Sequence, residues 1–259
     1  MPYPLPAAKQ LSLSGRDPLL PPGLRVYAIG DIHGRLDLLE GLLAQIERDL
    51  AARPASRPIL IFLGDYIDRG PASQQTIDRL VQQSRSHECV FLKGNHEALA
   101  LRSLTDRVAF DRWMRLGGFE TLISYGVMPG FIGAGPSRPV PETQATFHAA
   151  LASRHMQFFR SLQTSCTFGD FFFVHAGIRP GVALTQQAEE DLLWIRGEFL
   201  DAQGEFGKIV IHGHTPTKTV EVKPNRVNID TGAFATGRLS CLVLEENSLS
   251  LIDTMTPVD

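Results

Sequence analysis

The chain has few cysteines and no long apolar run, and both absences exclude whole classes of protein. Its 259 residues include only three cysteines, Cys89, Cys166 and Cys241, which lie far apart beside apolar stretches. An odd, scattered count excludes a disulfide framework and argues against a zinc site built from thiolates. No apolar stretch approaches the roughly 20 residues of a membrane-spanning helix, and no secretory signal is evident. We therefore expect a cytoplasmic protein with reduced thiols.

An excess of positive charge is also absent. The chain has 25 Lys and Arg against 28 Asp and Glu, a formal net charge of -3. Nothing in this balance favours nucleic acid or an anionic membrane as a partner. A chain of this length can bury the core of one α/β domain. We predict a Pro-rich, flexible leader over residues 1–23 and a single folded domain over 24–259.

What the chain does have is a repeated arrangement in which a polar motif follows a short apolar run. The runs cover 26–29, 59–63, 90–92, 171–174 and 209–211, and their composition is typical of strands buried on both faces. The motifs are Gly-Asp-Ile-His-Gly from residue 30, Gly-Asp-Tyr-Ile-Asp-Arg-Gly from 64, Gly-Asn-His-Glu from 94, His-Ala-Gly from 175 and Gly-His-Thr-Pro from 213. Ligands bind at the carboxyl ends of strands in open α/β sheets, so we expect the motifs to form one site.

The pattern between the motifs predicts an α/β fold of two mixed sheets, packed as a sandwich with flanking helices. Strands and helices alternate from 25 to 93, which predicts parallel strands with right-handed crossovers. Further helices are predicted over 72–85, from Asn95 towards Gly118, and over 142–163. Strands are predicted near 219–222, 226–230, 239–244 and 248–253. We interpret residues 126–141 as a flap near a substrate groove, with a disordered surface connection as the alternative.

Six side chains in the motifs carry donor atoms suited to a site with two divalent metal ions. Asp and His are common in turns because they suit the backbone conformations found there, so no single motif identifies a metal site. Five such motifs in this order do identify one. Carboxylate, imidazole and amide donors suit Mn²⁺, which we expect, or Fe or Zn²⁺. Two ions about 4 Å apart can activate a bridging hydroxide and clamp phosphoryl oxygens. We allocate Asp31, His33 and Asp65 to one ion, with Asp65 bridging to a second ion held also by Asn95, His175 and His214.

The order of the five motifs resembles the metallophosphoesterases, and specifically the phosphoprotein phosphatases of the serine/threonine type. The resemblance covers residues 25 to about 232 and is closest to the compact bacterial and phage members. It implies the calcineurin-like metallophosphoesterase fold and the metal allocation given above. It also implies that His214 is the ligand, although His212 lies close by in the sequence. Many relatives outside this branch carry a further ligand His where this chain has Pro216, which leaves the first ion with fewer protein ligands.

The same resemblance implies the groups that act on the phosphate. His96 is expected to protonate the leaving alkoxide, held in its protonated form by Asp68. The alternative for Asp68 is an ion pair with Arg69. Arg69 and Arg196 are expected to bind phosphate oxygens; for Arg196 the alternative is a solvated arginine at a helix end. Arg179 is a weaker candidate for the second arginine.

The expected substrate is a phosphorylated protein or peptide, with no nucleic acid or membrane partner. No cysteine is followed six residues later by Arg, and Asp-x-Asp and Gly-Lys-Ser/Thr motifs are absent, which leaves direct attack by the bridging hydroxide. Serine and threonine alkoxides need a proton donor, and the tetraphosphatase branch typically lacks the carboxylate found here at Asp68. We therefore expect a protein serine/threonine phosphatase, with diadenosine tetraphosphate hydrolysis as the alternative. A non-catalytic phosphate-binding scaffold is a minor alternative, since the chain retains every expected ligand.

Overall fold

The computed structural model describes residues 9–13, 18–128 and 140–255. Within these ranges eleven strands form a six-stranded and a five-stranded sheet. The strands are β1 Lys9–Leu11, β2 Leu24–Ile29, β3 Arg57–Phe62, β4 Glu88–Phe91, β5 Ser165–Phe168, β6 Phe171–Val174, β7 Ile209–His212, β8 Glu221–Val222, β9 Arg226–Asn228, β10 Ser240–Glu245 and β11 Ser248–Asp253. Their order is β1-β11-β10-β2-β3-β4 in the first sheet and β5-β6-β7-β9-β8 in the second.

Ten α-helices in the described ranges flank the two sheets. They are α1 Leu36–Ala52, α2 Ser73–Gln83, α3 Asn95–Ser103, α4 Arg107–Trp113, α5 Phe119–Ser124, α6 Val140–Ala150, α7 Ser153–Ser161, α8 Glu189–Trp194, α9 Gly197–Leu200 and α10 Ala233–Thr236. A single π-helical turn, Met114–Gly118, joins α4 to α5. In the part of the chain described here, no helix is both long enough and apolar enough to cross a bilayer.

The sheets pack face to face, which confirms the predicted sandwich. Alternate residues of β2 explain why residues 26–29 are all apolar: Val26 and Ala28 lie in the core between the sheets. Tyr27 and Ile29 lie in a second core, beneath the helices. A third cluster covers the outer face of the second sheet, where Phe199 packs. Both faces of the central strands are therefore buried, as their composition predicts.

Strand direction explains how distant motifs meet. β2, β3 and β4 are parallel to one another, and so are β6, β7 and β9. A hairpin at Gly169-Asp170 joins β5 to β6, and the final hairpin joins β10 to β11. The residues that follow the parallel strands consequently lie at one edge of each sheet, where the site is expected.

Two helix predictions are wrong in their extent. The helix predicted over 142–163 is two helices, because Ala152 adopts an extended conformation between α6 and α7. The stretch from Asn95 towards Gly118 is also divided. The first segment, α3, ends at Ser103, and Asp106 then caps α4 by accepting hydrogen bonds from the backbone N–H groups of Val108 and Ala109.

The prediction of a loose leader is wrong for its described part. Lys9–Leu11 forms β1, which adds to the edge of the first sheet by antiparallel pairing with β11. The Leu20 N–H donates to the Glu246 carbonyl at 2.9 Å. Leu13 and Leu20 are buried in the core between the sheets. The predicted flap over 126–141 lies for most of its length outside the described residues.

The burial of Leu20 gives a direct test of this correction. Leu20 is 3% exposed, whereas its neighbour Leu19 is 54% exposed. Leu20→Ala should lower the free energy of unfolding by about 2–4 kcal/mol, because it removes buried methyl groups and leaves a cavity. Leu19→Ala is the matched control and should change stability by less than about 0.5 kcal/mol. Urea unfolding of both variants measures the difference, and equal small effects would show that the segment does not contribute to the core.

Candidate metal centre

The six predicted metal ligands lie at the carboxyl ends of five strands. Asp31 and His33 follow β2, and Asp65 follows β3. Asn95 begins α3 after β4, while His175 and His214 follow β6 and β7. All six side chains are buried. The structure therefore brings together residues that are up to 183 positions apart in the chain.

The backbone at this edge is held in an unusual conformation. Six non-glycine residues in the described ranges have positive φ, and five of them are predicted site residues: His33, Asp65, Asp68, Arg69 and His214. Side chains beyond glycine rarely adopt this left-handed region. Such strain collects at functional sites, where the surrounding structure enforces it. Here the positive φ values occur at residues just after the strands, where the side chains turn towards the common site.

The Asp65 carboxylate lies at the centre of the cluster. Its Oδ2 atom is 3.5 Å from His175 Nε2, 3.6 Å from His33 Nε2 and 3.8 Å from His96 Nε2. Two close groups of donor atoms share it: one with His33 and His96, the other with His175 and His214. A carboxylate common to two groups has the position that a bridging ligand requires.

Hydrogen bonds to backbone carbonyls fix which nitrogen of each histidine faces the cluster. His33 Nδ1 is 2.9 Å from the Ile67 carbonyl, and His175 Nδ1 is 2.8 Å from the Leu63 carbonyl. A carbonyl oxygen only accepts, so Nδ1 carries the hydrogen in both rings. The Nε2 lone pairs then point towards Asp65, which is the usual arrangement of metal-binding histidines.

The two histidines around Gly213 differ in their partners. Both nitrogens of His212 are engaged: Nδ1 lies 3.1 Å from the Gly213 carbonyl, and Nε2 accepts from Arg226 Nη1 at 3.3 Å. His214 Nε2 is buried with no hydrogen-bond partner among the described residues. Burial lowers the pKa of His214 to about 2, so the ring is neutral and Nε2 has a free lone pair. The geometry favours His214 as the ligand.

Asn95 and Asp31 complete the predicted set with different geometry. Asn95 Oδ1 is 2.9 Å from His175 Nε2. The Asp31 carboxylate accepts from the His214 N–H at 3.1 Å and stands outside both close groups of donor atoms. Burial raises the pKa of Asp31 well above its usual range, and the charges of Asp230 and Asp65 raise it further. A divalent cation bound at this edge would offset the repulsion and keep these carboxylates ionised.

Asp230 is a carboxylate that the sequence analysis missed. It is buried just after β9, and its Oδ1 accepts from the Gly232 N–H at 2.9 Å. Burial, with a contribution from the Asp65 charge, raises its pKa to about 6. The signal before Asp230 is weaker than at the other motifs, because the polar Asn228 separates Val227 from Ile229 and leaves no continuous apolar run.

The residues present fit a pair of divalent cations. The neutral imidazoles of His33, His175 and His214 present lone pairs, and His214 Nε2 has no hydrogen-bond partner among the described residues. Asp31, Asp65 and Asp230 are three carboxylates buried close to one another. Oxygen and imidazole donors without thiolate select ions such as Mn²⁺, Fe or Zn²⁺. Asp31, His33, Asp65, Asn95, His175 and His214 would hold them.

Gly213 tests how tightly the Asp31 carboxylate is positioned. A Cβ atom at this residue would collide with Asp31 Oδ1. Gly213→Ala should therefore displace the carboxylate and weaken metal binding about 10–100-fold, the range seen when groups that orient ligands are disturbed. Gly204→Ala is the control, since nothing lies near the added atom there. Calorimetric titration with Mn²⁺ measures the difference, and unchanged affinity in Gly213→Ala would exclude Asp31 from the metal site.

A second hydrogen-bonded group lies beside the cluster. His96 Nδ1 is 2.6 Å from Asp68 Oδ2, and both side chains are buried. Asp68 also accepts from Trp113 Nε1 at 2.8 Å and from Thr121 Oγ1 at 2.6 Å. His96, Trp113 and Thr121 therefore hold the Asp68 carboxylate. The ion pair with Arg69, which was the alternative, is not the contact that the structure shows. Trp113 and Thr121 were not anticipated from the sequence.

The charge state of His96 follows from these contacts. Burial disfavours its protonated form, but the charge of Asp65 and the hydrogen bond and charge of Asp68 outweigh burial and raise its pKa. With Nδ1 turned to Asp68, Nε2 is the nitrogen that faces the metal ligands. In the structure Nε2 accepts from Arg69 Nη2 at 3.2 Å, and it is the atom that could carry a proton for transfer when this guanidinium binds phosphate instead.

The π-helical turn positions Arg69 over the same edge. The Arg69 N–H donates to the Gly117 carbonyl at 3.2 Å, and Gly117 has a φ of +109°, which favours glycine. Arg69 Nη1 and Nη2 are 3.1 Å from His33 Nε2 and 3.2 Å from His96 Nε2. Its guanidinium also lies 4.7 Å above the half-exposed ring of Phe234. The Gly117-Gly118 pair inside a helical stretch was the sequence signal for this turn.

The structure separates the two candidates for a second arginine. Arg196 is exposed beside the other donor group, with Nη2 3.5 Å from the His214 carbonyl. Arg179 instead forms ion pairs with Asp191 and Glu198. The guanidinium N–H groups of Arg196, unlike those of Arg179, are therefore available to a bound anion.

Two arginine guanidinium groups lie beside buried oxygen and imidazole metal donors, an arrangement that suits a phosphoryl group. This combination defines the metal-dependent phosphoesterases as a class. Residues 24–251 match the family model of the calcineurin-like phosphoesterases, so the chain belongs to that family. The fold and the class of chemistry predicted from the motifs are thereby confirmed.

Relatives in this family differ in the substrates that their names give. The chain is 25% identical over 251 residues to the asymmetrical bis(5'-nucleosyl)-tetraphosphatase PrpE of Anoxybacillus flavithermus, covering 88% of this chain and 94% of that protein. It is 29% identical over 226 residues to serine/threonine-protein phosphatase 2 of Escherichia coli, covering 83% and 90%. A cold-active protein-tyrosine phosphatase of a Shewanella species shares the fold, with a TM-score of 0.59, 19% identity, and coverage of 96% of this chain and 84% of that chain.

Proposed function

We propose that this chain is a metal-dependent protein phosphatase that hydrolyses phosphoserine and phosphothreonine. The observation that supports it most is the buried pair of His96 and Asp68, with Nδ1 and Oδ2 2.6 Å apart. An alkoxide leaving group departs slowly unless it is protonated. The pair supplies a proton donor whose pKa is raised, at an atom that faces the metal ligands.

The other side chains bind and orient the phosphate. Arg69 and Arg196 present planar guanidinium forks, one beside each group of metal ligands, and each fork matches two phosphate oxygens. When bound, the two ions polarise the phosphoryl oxygens and make water acidic enough to attack at neutral pH. We propose Mn²⁺ for both positions. The three cysteines are free thiols, which suits a reducing, cytoplasmic location.

Asymmetrical hydrolysis of diadenosine tetraphosphate is the second candidate. The observation that favours it is the near full-length match to PrpE, which covers 94% of that protein. Cleavage of a phosphoanhydride releases a phosphate, a good leaving group that needs little help from a proton donor. The same metal ligands and arginines would serve this reaction, whereas the His96–Asp68 pair would contribute less.

A substrate comparison on the purified protein tests the proposal. The metal-stripped protein, reconstituted with Mn²⁺, is given a phosphothreonine peptide, p-nitrophenyl phosphate and diadenosine tetraphosphate at equal concentration. We expect kcat/KM for the phosphopeptide to exceed that for the dinucleotide. Much faster cleavage of diadenosine tetraphosphate than of any phosphopeptide would overturn the proposal in favour of the second candidate.

A further inference from the structure

A cation–π contact closes one side of the metal centre. The guanidinium of Arg112, on α4, lies 4.0 Å from the centre of the Trp194 ring, on α8. The Trp194 ring in turn meets the His214 ring edge to face, with centroids 6.1 Å apart. Arg112 is thus two side-chain contacts from a predicted metal ligand, and it is exposed. Stacking on an indole holds a guanidinium in place and leaves its N–H donors open.

The chain around Arg112 belongs to the wall of the site. The next residue, Trp113, points inwards and donates to Asp68. Four residues further on, the Gly117 carbonyl accepts the N–H of Arg69. A helix that fixes Asp68 and Arg69 from within therefore carries Arg112 on its outer side. A substrate group that extends from the scissile phosphate along this side of the site would come close to Arg112.

The positive charge of Arg112 is not neutralised within the described part of the chain. Among the described residues Arg112 stacks on Trp194 and forms no ion pair, whereas neighbouring Arg107 on the same helix pairs with Asp111. Two of the three acidic groups on α8 pair elsewhere, and the third, Glu190, forms no ion pair with Arg112 in the described part of the chain. Asp191 pairs with Arg179, and Glu189 pairs with Lys93.

Two guanidinium groups at the site, Arg69 and Arg196, and a third next to it, Arg112 on Trp194, therefore have no carboxylate partner among the described residues. A scissile phosphate needs at most two forks in addition to the ions. Arg112 lies further from the metal ligands, and its positive charge is available to a second anion.

We propose that Arg112, held on Trp194, forms a second anion subsite that binds an oxyanion carried by the substrate next to the scissile phosphate. This inference rests on the proposed function for the identity of the substrate. In a phosphopeptide the oxyanion is the carboxylate of a flanking Asp or Glu. In a dinucleotide it is a further phosphate of the chain. The chemistry recognised is the same in both cases, so the subsite selects multiply charged substrates.

Competition against p-nitrophenyl phosphate measures the subsite whether or not the competitor is cleaved. The competitors are a phosphothreonine peptide flanked by Asp and Glu, the same peptide flanked by Asn and Gln, and diadenosine tetraphosphate with Mn²⁺ in excess. Wild type should bind the acidic peptide more tightly than the neutral one. Arg112→Gln should weaken the acidic peptide about three- to tenfold, as expected for loss of one charged contact at a partly exposed site. The KM for p-nitrophenyl phosphate and the affinity of the neutral peptide should stay within about twofold.

Two variants separate a local contact from a general charge effect. Arg85→Gln removes an equally exposed, unpaired arginine between α2 and β4, at the opposite edge of the first sheet, and should leave selectivity unchanged. Arg112→Lys keeps the charge without the planar fork and should restore part of the selectivity. Raised salt should weaken the acidic peptide in wild type more than in Arg112→Gln.

The outcomes distinguish the inference from the proposed function. Loss of selectivity in the peptide arm, or only in the dinucleotide arm, supports the subsite and identifies the source of the oxyanion. Equal binding of acidic and neutral peptides by wild type, together with an unaltered dinucleotide arm in Arg112→Gln, overturns it. A parallel loss on every compound, including p-nitrophenyl phosphate, also overturns it, because that result indicates a structural role. Absence of phosphopeptide cleavage contradicts only the proposed function.

Discussion

Asp65→Asn should abolish the binding of both metal ions and lower kcat/KM at least about a thousandfold on every substrate. The Asp65 carboxylate is shared by both groups of donor atoms, with three histidine nitrogens within 3.8 Å of Oδ2. Loss of a group that only orients a ligand costs about 10–100-fold, and a shared ligand must cost more. An amide keeps the shape of the side chain but removes the negative charge that balances two cations.

The fold should survive this change. Asp65 has a φ of +53°, and asparagine is among the few residues that tolerate the left-handed region. The backbone N–H of residue 65 also keeps its hydrogen bond to Glu97. Mn²⁺ titration by calorimetry should show no binding to Asp65→Asn, while circular dichroism matches wild type. Asp111→Asn, at an exposed carboxylate on α4, is the control and should bind both ions normally. Retention of one ion at full affinity by Asp65→Asn would show that Asp65 does not bridge.

The metal centre was predictable because each ligand sits directly after a strand that its own residues specify. Apolar runs buried on both faces fixed β2, β3 and β7, and parallel direction then brought Asp31, Asp65 and His214 to one edge. No long-range information was needed beyond the rule that parallel strands end together. Asp230 also lies just beyond a parallel strand, β9, but it was missed because Arg226 and Asn228 leave no continuous apolar run before it.

The remainder of the site depends on contacts that no local pattern contains. Thr121 reaches Asp68 across 53 residues of sequence, and it does so through a π-helical turn rather than a regular helix. The Arg112–Trp194 stack joins two helices that are unrelated in sequence. The first strand, Lys9–Leu11, is too short for a periodic signal and is defined only by pairing with β11 at the other end of the chain. Tertiary packing decides such features, so they could not be read from propensity or spacing.

His96→Asn should separate substrates by the quality of their leaving group. General acid catalysis contributes about 10²–10⁴-fold where the leaving group is a poor one. Cleavage of a phosphothreonine peptide should fall by about that factor, because the alkoxide must leave unprotonated. Hydrolysis of p-nitrophenyl phosphate should fall far less, since p-nitrophenolate departs readily. Rates on a series of aryl phosphates should accordingly depend more steeply on leaving-group acidity in the variant than in wild type.

Asp68→Asn tests the same pair from the carboxylate side and adds a dependence on pH. The hydrogen bond and charge of Asp68 help to raise the pKa of His96, so they keep the ring protonated to higher pH. Activity on the phosphopeptide is lost as pH rises through that pKa. Removal of the carboxylate lowers the pKa, so the alkaline limb of the kcat profile should move to lower pH. Trp113 and Thr121 still contact residue 68 in this variant, so the ring should stay in place.

The p-nitrophenyl phosphate profile of the same variant is the internal control. Because its leaving group needs no proton, its alkaline limb should hardly move when Asp68 becomes Asn. A shift of equal size on both substrates would assign the limb to another group at the centre, and His96 would then lose its role as proton donor. A shift of the alkaline limb with the peptide alone would show that the proton on His96 is needed for departure of the alkoxide. That step distinguishes a phosphomonoesterase from a phosphoanhydride hydrolase on this scaffold.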